Sequence, residues 1–266
     1  LVLRNGTTVS VDLRDRKPLD RLVQRLSMRH LYGAADSILM PSLGAADDFA
    51  ALSGIARERI QVVPSPVISE DLQRLAAAPV DHPWLIEKDS PVILGIGELC
   101  GRKDFETLIR AFARLRQATP AKLIILGSGK RRDRLLALAQ RLGVAGSVDL
   151  PGFDANPYRF IAHADLFALS SRWEGMPMVL IEALSLGRPI VATDCPSGPR
   201  ELLAGGRLGR LVPVGDDRRF ARAMQQALGE RPPLEAMRHA ASAYTVQAST
   251  DAYLAAMGLD PRHAGR

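Results

Sequence analysis

The 266-residue chain is short of several residue types on which function is often built. It has two cysteines, Cys100 and Cys195, and no Cys-x-x-Cys pair. That excludes a disulfide framework and fits a reducing, cytoplasmic setting. Aromatics are only 5% of residues and none interleave with basic ones, which argues against a stacking platform for nucleic acid. There is no Asp-x-Asp and no His-Glu-x-x-His, and His30, His82, His163, His239 and His263 are scattered. A metal site is therefore not supported. A Walker A loop and a Gly-x-Ser-x-Gly elbow are missing too, so neither that phosphate cradle nor that serine nucleophile is expected. No apolar run approaches the ~18 residues of a membrane span. The opening "LVLRNGTTVSVDLRD" lacks the layout of a signal peptide. Peripheral membrane contact stays compatible with all of this.

What is present is ordinary globular composition, 47% hydrophobic and 24% charged, with a formal net charge of +6. The basic excess reads either as a solvated surface or as attraction for an anionic partner such as a phosphate. Short apolar runs alternate with longer amphipathic stretches. Strands are expected at 37–42, 60–65, 91–97, 121–127, 147–152, 165–170 and 189–194, and helices at 104–118 and 130–142. Nearly continuous apolar strands separated by helices predict a parallel sheet covered on both faces, an α/β fold.

Four prolines in "PSPVISEDLQRLAAAPVDHPW" (64–84) mark a connection between units. The expected organisation is an incomplete N-terminal α/β domain at 1–66 and a connection at 67–90. A Rossmann-like domain follows at 91–230, then terminal helices at 231–266 with a frayed "GLDPRHAGR". "AADSILMPS" and "AHADLFALSS" echo one another, which hints at two similar halves. After Arg210 the pattern reads as a strand and then a helix with Asp217 as its N-cap.

The string "EGMPMVLIE" (174–182) raises the functional question. Glu182 lies among Val179, Leu180, Ile181, Ala183 and Leu184, so its carboxylate is expected to be buried and to need a partner. Pro177 suits a first helical position and Gly187 a left-handed stop. The helix would start at the carboxyl end of a strand, where open parallel sheets bind ligands. The N–H groups of Met176, Met178 and Val179 would then form an anion site. Glu174 and Glu182 are separated by at most about 12 Å along a helix. That spacing suits an extended ligand with a phosphate between two hydroxyl-bearing ends, such as a nucleotide-sugar. A ribose diol would satisfy Glu182; an arginine, Arg188 or Arg200, would do so equally well.

In "ILGIGELCGRKDFETLI", Arg102 and Lys103 precede a helix capped by Asp104 and could neutralise a leaving diphosphate. A dinucleotide fingerprint fits poorly here. Gly95 and Gly97 match it, but Cys100 stands at the third glycine and the later acidic residue is missing.

These segments, with "LIILGSGKRRDRL", "VDLPGF", "HADLFALSSRWEGMPMVLIEALSLGRPIVATDCPSGPRELL" and "GRLVPVGDD", occur in an order that resembles the retaining GT-B glycosyltransferases with the E-x7-E signature. The resemblance implies a Rossmann-like donor domain after a truncated N-terminal α/β domain. It implies that Glu182 binds ribose and that Glu174 faces the donor sugar. Gly175, Met176, Pro177, Met178 and Val179 would bring backbone N–H groups to sugar and phosphates. Lys103, with Gly97 and Arg102 beside it, would stabilise the leaving diphosphate, and Leu150, Pro151, Gly152 and Phe153 would border the base. The "DCPSGPRE" loop is similar to those of transferases using UDP-galactose or UDP-N-acetylgalactosamine. The implied partners are a UDP-sugar donor and a glycan or lipid-linked acceptor, with no metal and no nucleic acid.

Two departures stand out. The family usually has an arginine directly after the glycine of its first strand-turn, where this chain has Glu98. Members also have a longer N-terminal domain with a glycine-rich loop and a histidine near the donor sugar. The expected function is the donor-binding part of a hexosyl or N-acetylhexosaminyl transferase. The alternative is a nucleotide-sugar-binding module without activity of its own.

Overall fold

A computed structural model of the chain describes residues 1–14, 17–230 and 232–259. Most of the tail expected to fray therefore lies outside the described residues. Three strands and three helices form the N-terminal unit: β1 (Val2–Arg4), α1 (Val9–Arg14), α2 (Pro18–His30), β2 (Ser37–Met40), α3 (Leu43–Ser53) and β3 (Ile60–Val62). The strands pair in parallel in the order β1-β2-β3. Phe49, Met28, Met40 and Val9 fill the core around them. α3 has both ends signalled in sequence. Ser42 caps it by accepting from the Ala45 N–H at 3.1 Å, and Gly54 stops it at φ 71°.

The proline-rich connection carries two short helices, α4 (Leu72–Ala76) and α5 (Pro83–Ile86). Leu72, Ala76 and Leu85 join the core of the larger unit, so the segment is packed rather than slack. The larger unit then runs β4 (Val92–Ile96), α6 (Phe105–Leu115), β5 (Lys122–Leu126), α7 (Arg132–Arg141), β6 (Val148–Gly152), α8 (Pro157–His163), β7 (Leu166–Leu169), α9 (Met178–Ser185), β8 (Ile190–Thr193), α10 (Pro199–Leu202), β9 (Arg210–Val212) and α11 (Asp217–Leu228). Its six strands are all parallel, in the order β6-β5-β4-β7-β8-β9.

The period of two in each strand divides the core between the two sheet faces. Val92, Leu94 and Ile96 of β4 point to one face, and Ile93 to the other. α6 covers the second face with Phe105, Leu108, Ile109, Phe112 and Leu115, an i, i+3, i+4, i+7 stripe. Burying each such side chain contributes about 1.5–3 kcal/mol. α9 packs on the first face and is buried nearly all round.

Two further helices, α12 (Leu234–Ser242) and α13 (Val246–Ala256), end the described chain. α13 returns to the N-terminal unit. The Ser37 hydroxyl and the Gln61 amide both donate to the Ala256 carbonyl, at 3.0 and 3.4 Å, and Arg4 meets Tyr253. No helix among the described residues is long and apolar enough to cross a membrane.

Three local expectations need correction. α9 begins at Met178, with Pro177 at the capping position rather than the first helical one. Asp216, not Asp217, caps α11 by accepting from the Arg219 N–H. Asp104 stands at the start of α6 but caps no backbone group; its carboxylate takes the Thr107 hydroxyl at 2.8 Å and Arg172 at 3.0 Å.

Candidate functional site

The sheet order reverses between β4 and β7, because β5 and β6 extend to one side of β4 while β7, β8 and β9 extend to the other. At such a switch point the loops leaving two neighbouring strands diverge and open a crevice. Those loops are 97–104 and 170–177, the two segments singled out in the sequence. They are tied together by the Arg172 N–H to the Arg102 carbonyl at 2.7 Å and by the Ser170 hydroxyl to the Lys103 carbonyl at 2.8 Å.

Glu174, Arg102 and Lys103 form one cluster. Lys103 Nζ lies 2.7 Å from Glu174 Oε1 and Arg102 Nη1 lies 2.6 Å from Oε2. The Ser171 hydroxyl donates to Oε1 at 2.7 Å. Lys103 and Glu174 are both buried, where a lone charge would be costly and a hydrogen-bonded pair is tolerated. Gly97 is dictated by this packing. A Cβ there would stand 2.9 Å from Lys103 Cε, so a side chain at this position would push the lysine stem out of its present course. Both oxygens of Glu174 are thus engaged by protein donors, and the triad carries a net charge of +1.

Gly175 is equally constrained. Its Cβ would fall 2.1 Å from the Gly6 carbonyl oxygen, because Thr7 and Gly175 form an antiparallel bridge between the two units. A cleft of about 440 Å³ opens here, lined by Arg102, Lys103, Glu174 and 175–179, with Gly6, Thr7 and Asp12 on its other wall. A second, more apolar cavity of about 280 Å³ lies on the β5 side of the switch point, bordered by Gly97, Glu98, Gly127, Phe153 and Pro157.

Glu182 lies on α9, one turn beyond the Met178 and Val179 that line the larger cleft. It is 9% exposed, and its Oε2 has no hydrogen-bond partner. Burial pushes its pKa up to about 7, and a hydrogen bond with Tyr158 opposes that rise. Tyr158 follows the Pro157 of the apolar cavity. Neither arginine considered for Glu182 reaches it. Arg188 donates to the Leu186, Ala162 and Ala164 carbonyls, and Arg200 pairs with Asp194.

The "LPGF" segment is only partly at the site. Leu150 is fully buried in the core and its carbonyl accepts from Arg132 at 3.2 Å, so its side chain cannot border a base. Pro151 is exposed. Gly152, at φ 106°, uses its carbonyl to accept from the Gly127 N–H at 2.7 Å. Phe153, 79% exposed, lines the apolar cavity. Sequence reasoning missed Tyr158, Ser171 and Asp12. From the sequence, the partner of the buried Glu182 is a ribose diol or an arginine; a tyrosine hydroxyl is not among those alternatives.

Glu98 is exposed at the rim of the apolar cavity, and neither Arg102 nor Lys103 pairs with it, since Glu174 takes both. Its charge opposes any diphosphate in the adjoining cleft. Glu98→Arg is expected to tighten an anionic probe such as inorganic pyrophosphate by about 0.5–1 kcal/mol at low salt, with the gain shrinking as ionic strength rises. Calorimetry at two salt concentrations checks this; weaker binding at both would show that the carboxylate helps the ligand.

A family model described as "Glycosyl transferases group 1" matches residues 80–244. The chain is 36% identical over 217 residues to an N-acetylgalactosamine-N,N'-diacetylbacillosaminyl-diphospho-undecaprenol 4-alpha-N-acetylgalactosaminyltransferase of Campylobacter jejuni, covering 82% of this chain and 57% of that protein. It is 37% identical over 180 residues to an uncharacterized glycosyltransferase of Methanocaldococcus jannaschii, covering 67% and 44%. The chain thus spans about half the length of these curated relatives. Among solved structures, Anabaena HepE in complex with UDP superposes with a TM-score of 0.80 at 22% identity, over 97% of this chain and 72% of that one. That likeness concerns the fold, a GT-B arrangement of two parallel-sheet units. With more than half of its length under the family model, the chain belongs to the group 1 glycosyl transferases.

Proposed function

We propose that this chain is the donor-binding part of a retaining transferase that moves a hexose or N-acetylhexosamine from a UDP-sugar to a glycan or lipid-linked acceptor. The observation that carries the reading is the buried carboxylate of Glu182. It has one unpartnered oxygen. Met178 and Val179, one turn before it on α9, line the larger cleft, and Pro157, next to Tyr158, borders the apolar cavity. In this reading uracil lies against Phe153 and the ribose diol donates to Glu182. The diphosphate meets the free N–H groups at the start of α9, and the sugar enters the cleft near Gly175 and Met176.

Transfer breaks the bond between the anomeric carbon and the β-phosphate oxygen, and charge grows on that oxygen. Lys103 and Arg102 are the fixed cations nearby, and stabilising the growing charge more than the ground state is what accelerates the step. Glu174 acts mainly by holding those two side chains in place. The acceptor hydroxyl passes its proton to the departing β-phosphate oxygen and forms the new bond on the face the leaving group vacates, which retains configuration. Since side-chain cations and backbone amides serve the diphosphate, no metal is required in this reading.

UDP at about a hundred times its Kd is expected to raise the thermal midpoint by roughly 5 °C in EDTA. ATP and NAD should give less. A strict need for Mg²⁺, or a larger shift with NAD, would overturn the reading.

A further inference from the structure

The loop that forms the cleft is held from behind by the N-terminal unit. The Glu174 carbonyl accepts from the Thr8 N–H at 3.3 Å, the Ser197 N–H at 3.0 Å and the Thr8 hydroxyl at 2.5 Å. The Gly175 carbonyl accepts from the Ser42 hydroxyl at 2.8 Å and the Ser197 hydroxyl at 2.9 Å. Ser42 and Ser197 are themselves 2.9 Å apart, and Thr8 is 3.2 Å from Ser197. All three hydroxyl residues are buried. Their three protons are enough to serve both carbonyls, so each carbonyl is fixed by donors from both units.

A peptide group is planar and trans, so fixing a carbonyl fixes the following N–H in the opposite direction. Holding the carbonyls of Glu174 and Gly175 therefore sets the directions of the Gly175 and Met176 N–H groups, in a loop that lines the cleft. Beside this seam, Glu201 of α10 receives the N–H groups of Leu43 and Gly44 on its two oxygens, each at 2.9 Å. Those are the first unpaired donors of α3, where a carboxylate is favoured by the helix dipole as well. The contact is close throughout: a Cβ on Gly44 would stand 2.8 Å from Ser197 Cβ.

We infer that Thr8, Ser42, Ser197 and Glu201 are positioning residues for the donor loop, and that the N-terminal unit aims the loop's amides at the donor phosphates. Ligand affinity in the larger unit then depends on a seam that touches no ligand. This rests on the proposed donor-binding reading. It goes further in assigning half of the loop's geometry to residues 8 and 42, outside the unit that carries α9.

Two variants in the full chain test it without altering the cleft. Gly44→Ala drives a methyl group into Ser197, and Glu201→Gln removes the charge from the start of α3. Each is expected to weaken UDP about tenfold or more and to speed amide hydrogen exchange at 175–179. A seam that serves packing alone would lower the thermal midpoint while leaving UDP affinity within about twofold of wild type, and that result overturns the inference. If wild type itself fails to bind UDP, the donor reading fails instead. Exchange at 175–179 still decides the positioning role: faster exchange in the Gly44→Ala chain supports it and unchanged exchange overturns it.

Discussion

Glu182→Gln is expected to weaken UDP binding by about 1–3 kcal/mol at pH 8 and, at the same pH, to raise the thermal midpoint. The two effects have one cause. Burial raises the carboxyl pKa from 4.5 to about 7, so between those values the native state holds a proton that the unfolded state has released. Stability therefore falls as pH rises through that window, by roughly 3 kcal/mol in all. Glutamine carries no ionisable proton and escapes the loss. Wild type and variant should melt together near pH 4.5 and separate by roughly 6 °C at pH 8. Ribose hydroxyls donate best to the ionised carboxylate, so the ratio of wild-type to variant UDP affinity should grow from pH 6 to pH 8. Taking the ratio cancels the ligand's own ionisation. Equal affinities at pH 8, or a variant that melts earlier there, would remove Glu182 from the ligand's path.

Lys103→Ala should lower kcat by roughly 10²–10³ in a transfer-competent form of the protein, the range for losing one donor to a developing oxyanion. It should also destabilise the fold. Glu174 would keep Ser171 on Oε1 and Arg102 on Oε2 but lose its buried cation. Because those two partners compensate in part, the cost should fall below the ~3–5 kcal/mol of an unpaired buried charge. The double variant Lys103→Ala/Glu174→Gln separates the two roles. With both charges gone, the midpoint should recover much of the loss while kcat stays low. Turnover within tenfold of wild type in the single variant would mean that another cation stabilises the leaving group.

The fold was largely legible because the central strands β4, β5, β7 and β8 are runs of four to five buried residues, and apolar runs of that kind between amphipathic stretches have few other solutions. β1 was not legible: it has three residues, two of them exposed, and lies at a sheet edge. The burial of Glu182 followed from its apolar neighbours in sequence. Its partner did not, since Tyr158 approaches from another helix. The Glu174 cluster was hidden for a related reason. Its cations lie 71 and 72 residues away and meet it only because β4 pairs with β7, a strand order that periodicity does not encode. Hydroxyls such as Ser42 and Ser197 carry no pattern at all. A serine after a strand reads as a turn until the second unit is seen against it.

The return of α13 to the first sheet has a consequence for the order of assembly. A chain made from its N-terminus presents β1, β2 and β3 early, and domains commonly fold as they emerge. Here the Ser37 and Gln61 side chains find their acceptor on Ala256, the Arg4 side chain finds Tyr253, and the Pro64 carbonyl takes a hydroxyl from Ser249. These contacts can form only once α13 has been made, after the second unit. Meanwhile the six-stranded unit can close on itself, because its strands pair only with one another. The seam around Gly175 would then form late, when α13 draws the N-terminal sheet down. Maturation of the cleft should lag behind the folding of the sheet that carries most of it.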